Sequence, residues 1–160
     1  MKYLKQVLSL VAVAALGVAV LGMTSADFDM TSTETTTADK IEVQGHLVDT
    51  KCYGMGVNMD KPKMNYHNKH MVKGKDGKMK EVPNCATACA NMGIPVGIVE
   101  GSEPGNKTYV LVTPAGQLAN HMDKEARVEG QTAFDGGIIP SKIEVKEDGE
   151  WKEISIQTMM

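Results

Sequence analysis

Residues 41–48, Ile-Glu-Val-Gln-Gly-His-Leu-Val, place Ile41, Val43, Gly45 and Leu47 on one face and Glu42, Gln44 and His46 on the other. A period of two marks a β-strand with one face in a core. Residues 94–100 (IPVGIVE) and 107–113 (KTYVLVT) form two more strand candidates across the turn GSEPGN. Residues 125–134 (EARVEGQTAF) and 138–147 (IIPSKIEVKE) predict a further pair around Asp-Gly-Gly, and 150–157 (EWKEISIQ) an edge strand. Two stretches carry a helical period instead. Pro83 suits a first helical turn, alanines fill the body to Met92, and Gly93 suits the left-handed stop. In 114–124, Leu118 and Met122 stand at i and i+4, predicting a short one-sided helix.

Residues 54–82 show no sustained period. They carry four glycines and seven lysines, and read as a long surface loop in which KGKDGK, residues 73–78, makes a turn. The order is strand, loop and helix, two strands, helix, two strands. The expected fold is therefore mainly β with short helices, a small OB-like Greek-key barrel of five or six strands. The same order also suits another small β-barrel or sandwich.

The N-terminal region departs from this pattern. Lys2 and Lys5 precede an almost wholly apolar run from Val7 to Met23, followed by the small residues Thr24, Ser25 and Ala26. This is the pattern of an export signal cleaved after Ala26, although the run approaches the length of a spanning helix. Residues 27–40 are polar, threonine-rich and aperiodic, a flexible leader. Residues 41–160 remain as one domain of an exported, periplasmic or secreted protein. The chain has 17 basic and 20 acidic residues, and residues 1–26 hold two lysines and no acid. A remainder at a net −5 is a poor partner for a nucleic-acid backbone.

Candidate chemistry centres on three cysteines. Cys85 and Cys89 sit one helical turn apart on one face, an arrangement awkward for a mutual disulfide. The first-turn position of Cys85 favours a thiolate. Cys52 follows the first strand, and His67 and His70 lie in the loop between. A Cys3His set of Cys52, Cys85, Cys89 and one of these histidines would complete a tetrahedral metal site. The competing reading is one disulfide, Cys52 with Cys85 or Cys89, plus a third buried thiol. Met55, Met59, Met64 and Met71 share the loop, and thioether, thiolate and imidazole together suit copper as zinc suits the thiolates. Asp49 is a turn residue at the strand end or a carboxylate orienting a ligand histidine. His46 and His121 read as surface or capping residues.

GHLVDTKC, then a histidine, then CATACANMGIPVG and TYVLVTP resembles a group of small exported bacterial proteins of largely unassigned function. Their pattern runs G-x-x-x-D-x-x-C, H, C-A-x-x-C-A-x-x-G-x-P-x-G. The match spans most of residues 45–131, on Gly45, Asp49, Cys52, His67 or His70, Cys85, Cys89, Gly93, Pro95 and Gly97. The resemblance implies a shared Cys/His site on an OB-like barrel and supplies no substrate or reaction. The leading function is a non-enzymatic metal-binding protein for copper or zinc, whose partner is the metal ion or an exported redox or metal-handling protein. A thiol–disulfide protein and an OB-type ligand-binding module are the alternatives. For the latter, Tyr53, Tyr66, Tyr109, Phe134 and Trp151 offer few stacking surfaces. No nucleophile elbow, phosphate loop or Ser/His/Asp order names a reaction.

Overall fold

The structure is a computed structural model that describes residues 39–157. The expected export signal, and all of the leader except Asp39 and Lys40, lie outside the described residues. Eight strands and three short helices follow: β1 (Lys40–Asp49), α1 (Thr50–Asn58), β2 (His70–Lys73), β3 (Met79–Val82), α2 (Cys85–Asn91), β4 (Val96–Glu100), β5 (Thr108–Leu111), the 3-10 helix η1 (Ala115–His121), β6 (Glu125–Phe134), β7 (Gly137–Glu147) and β8 (Glu150–Ile154). Among the described residues no helix is long and apolar enough to cross a membrane.

The main sheet runs β5-β4-β1-β6-β7-β8, and β5 also pairs with β7 in parallel through Val110↔Gly137 and Leu111↔Ile138. The pairings thus form a circuit, β1-β4-β5-β7-β6 and back to β1, with β8 attached to β7 outside it. The inward positions of these strands, among them Val43, Leu47, Ile98, Leu111, Val128 and Ile143, make one core. α2 and η1 pack on each other and contribute Ala90, Leu118 and Ala119 to that core.

β1 is the organising strand. Its first part, Lys40–His46, pairs with β6, and its second, Gly45–Asp49, pairs with β4. The change of partner occurs at Gly45, where a Cβ would stand 1.9 Å from the Val99 carbonyl oxygen. Only glycine allows that approach without moving a strand. Beyond it, Leu47 enters the main core while Val48 joins a second cluster with Tyr53, Tyr66 and Val99.

Two sequence expectations require correction. The stretch 54–82 is not a structureless loop: it holds the second half of α1 and the β2–β3 hairpin, whose turn is the expected Lys73–Lys78 segment. Gly54 and Gly56 lower helix propensity and mask α1. The helix nevertheless forms because Asp49 caps it and Cys52, Tyr53 and Gly56 are buried. The short helix expected in 114–124 forms over Ala115–His121, as a 3-10 helix rather than an α-helix. The segment is seven residues long, carries Gly116, and is stopped by Asp123 in a left-handed conformation at φ 69°.

Candidate metal centre

Three segments of the chain converge at the end of β1. Asp49, fully buried, accepts hydrogen bonds at Oδ1 from the backbone N–H groups of Lys51 (2.9 Å) and Cys52 (3.0 Å). This N-cap starts α1 and sets Cys52 one turn along, facing inward. The second segment is 65–70. Asn65, itself in a left-handed conformation, donates to the Cys52 carbonyl and accepts from the Met71 N–H, tying α1 to the start of β2. The third is α2. Asn68 clamps its first turn, bonding Thr87 through both ends of its amide while its carbonyl accepts the Cys85 N–H at 2.9 Å. His70 and Cys85 are therefore positioned by one shared latch.

The outcome is a dense cluster. Cys52, His70 and Cys85 each offer a ligand atom within 4.8 Å of the others, and Asp49, Cys52 and Cys89 form a second such trio around the same Cys52 sulfur. His70 is 0% exposed, and neither of its ring nitrogens makes a well-formed hydrogen bond among the described residues, although the His67 and Asn65 backbone lies close enough to pull its pKa up against the lowering by burial. Its Nδ1 stands 3.4 Å from Asp49 Oδ2, which is also unpartnered. An imidazole buried with both nitrogens unsatisfied is costly, on the order of 1–3 kcal/mol per polar atom.

Electrostatics follow from the burial. Burial pushes the Cys52 thiol up to about 12 and Cys89 to about 11, with the Asp49 charge adding to each. Burial lowers the His70 pKa, and Asp49 opposes that without reversing it. Without a cation, Cys52 and Cys89 thus stay protonated beside a neutral imidazole. All three thiols are free.

His67 and His70 part company. His67, mostly exposed, turns away from the cysteines and brings Nδ1 within 2.7 Å of Asp123 Oδ1. His46 Nε2 meets the same oxygen at 2.9 Å, and its ring stacks on Tyr66 with centroids 4.4 Å apart. His46 is thus no bare surface residue, and these three residues make a further group with ligand atoms within 4.8 Å. Burial raises the Asp123 pKa, but hydrogen bonds from His67, the Asn68 backbone and His46 outweigh it and the net shift is downward. Burial lowers His46, against the pull of Asp123.

Of the thioethers, Met55, Met59 and Met71 are exposed at 47%, 54% and 39%. Met64 is half-buried beside Gly56. His121 lies at the end of η1, 3.4 Å from Glu147. Sequence reasoning missed Asn65, Asn68 and Asp123; the Asn-x-x-Asn spacing ahead of His70 is the only local trace of the latch. No protein-family model matches the chain, and neither a curated protein nor a solved structure shows significant similarity to it.

Proposed function

We propose that this is an exported, non-enzymatic protein whose Cys52, His70, Cys85 and Cys89 hold one metal ion on an OB-like barrel. The carrying observation is His70, fully buried beside Cys52 and Cys85 with no well-formed hydrogen bond among the described residues. A coordinating cation is the partner such a nitrogen lacks, and Asp49 Oδ2 at 3.4 Å from Nδ1 supports its reading as a carboxylate that orients a ligand histidine. The circuit of strands, with η1 between β5 and β6, supports the OB-like reading. Copper and zinc both suit the donors. Charge favours zinc: three thiolates leave −1 around a divalent ion but −2 around monovalent copper, and buried net charge is expensive. The exposed methionines weaken the case for copper.

The thiol–disulfide reading draws support from Cys52 alone, whose sulfur lies near both others. A bridge would bring two sulfurs to about 2.05 Å and leave His70 still without a partner. A stacking module is disfavoured because Tyr53, Tyr66 and Tyr109 are buried.

The test is metal and thiol content of the protein isolated from the exported fraction without chelator, with intact mass reporting cleavage after Ala26. Cobalt substitution should give a thiolate-to-metal absorption band with one equivalent. Cys89→Ser should remove most of that band, with little further loss on adding Cys85→Ser, because ligands of one ion do not act additively. His70→Ala should weaken it and His67→Ala leave it intact. One titratable thiol in denaturant, a two-proton mass gain on reduction and no thiolate band would overturn the metal reading in favour of the disulfide.

A further inference from the structure

Asp123, His46 and His67 lie on the opposite side of β1 from the cysteine cluster, since His46 and Asp49 are an odd number of residues apart along the strand. We propose that these three residues form a second, open metal site for a borderline divalent cation such as Zn2+ or Cu2+, with its remaining position facing a cavity that admits an outside ligand.

Two imidazole nitrogens and one carboxylate oxygen are the donor set of an open three-ligand site, as distinct from the closed, sulfur-rich set around Cys52. The framework is already fixed at two of the three donors. His46 sits where β1 pairs with both β4 and β6. Asp123 is held against β1 by its N–H to the Leu47 carbonyl, while the Leu47 N–H reaches the Lys124 carbonyl. His67 is the donor most free to adjust, with its side chain 67% exposed. Donor atoms around a zinc ion at about 2.0–2.1 Å stand roughly 3.3 Å apart. The observed 2.9 and 2.7 Å separations from Asp123 Oδ1 therefore need to open by only about half an ångström, which takes a small turn of the Asp123 carboxylate together with a His67 rotation.

The two rings wall a cavity of about 350 Å³, together with Gln44, Tyr66, Ser102 and Glu125. Tyr66 is 4% exposed, yet its hydroxyl has no hydrogen-bond partner among the described residues. That cavity leaves room at the open coordination position for a water or small anion. A His–Asp–His hydrogen-bond network alone gives no use for the cavity.

The experiment titrates the exported protein with Co2+ and Zn2+, reading cobalt absorption and the histidine ring nitrogens by 15N NMR. Once the thiolate band saturates, a second equivalent should add ligand-field absorption without adding thiolate band, and should shift His46 Nε2 and His67 Nδ1. Azide should then perturb the cobalt spectrum. His67→Ala should abolish the second equivalent, and Asp123→Asn should weaken it at least tenfold, both keeping the thiolate band. Should the cysteine reading fail, no thiolate band appears, but the nitrogen-ligated equivalent still does. A second equivalent that is absent, that survives His67→Ala, or that ignores azide would overturn the open site.

Discussion

Asp49 caps a helix with one oxygen and faces His70 with the other, so its two roles are separable by substitution. Asp49→Asn keeps an acceptor for the Lys51 and Cys52 N–H groups but removes the carboxylate beside His70 Nδ1. Metal affinity should fall about 10- to 100-fold, as for lost carboxylate partners of ligand histidines, while the metal-free protein keeps its denaturation midpoint. Asp49→Ala loses the cap as well, and the metal-free form should be less stable by about 1–2 kcal/mol. Parallel metal titration and denaturant unfolding of the two variants check this. Equal affinities for Asp49→Asn and the parent would show that the carboxylate serves the helix alone.

At the scale of elements, β1 and α1 carry the centre for different reasons, and two glycines report the difference. Gly45 lies where β1 changes partners, and a methyl there would overlap the Val99 carbonyl. Gly45→Ala should cost about 3 kcal/mol and disturb both candidate sites, because His46 and Asp49 hang on the same strand. Gly54, inside α1, has nothing within 4 Å of a built Cβ. Gly54→Ala should therefore stabilise by about 0.5–1 kcal/mol through helix propensity. Opposite shifts of the unfolding midpoint are expected, and a stabilised Gly45→Ala would refute the account of the strand pivot.

The pH profile belongs to the whole molecule. Burial lowers the pKa of His46, His70 and His121, three of the four histidines, from 6.5. In the unfolded chain these rings take up protons as pH falls through 6.5, so the unfolded state binds more protons and stability declines on the acid side. Cys52 and Cys89 act on the alkaline side. Their folded values near 12 and 11 lie above the ordinary 9.0, so the unfolded chain loses protons first and stability declines as pH rises through 9. The metal-free protein should accordingly be most stable between about pH 6.5 and 9. Bound metal should remove the alkaline decline by holding the thiols as thiolates. Denaturant midpoints from pH 5 to 10, with and without metal, measure both arms; a metal-free profile flat across that range would contradict the burial of these groups.

The strands of the main sheet were legible because their signal is local: a half-buried strand alternates, and β1, β6 and β7 alternate over ten residues or so, whereas the four-residue β2 and β3 are too short to show a period. The helix that carries both Cys85 and Cys89 was legible too, since its alanines and the stop at Gly93 are local signals. α1 was hidden because its stability comes from a cap and from burial rather than from the propensity of a segment with two glycines. Which histidine joins the cysteines was hidden for a stronger reason. His67 and His70 are three residues apart in one polar stretch, and nothing in their neighbours ranks one above the other. Only the folded chain separates them, because the Asn65 and Asn68 bonds to α1, β2 and α2 turn His70 inward and leave His67 to Asp123, 56 residues away. Residue types and local periods thus determined which side chains were available and which elements would present them. Long-range hydrogen bonding and burial decided which of them meet, since those energies exist only once distant segments share one core.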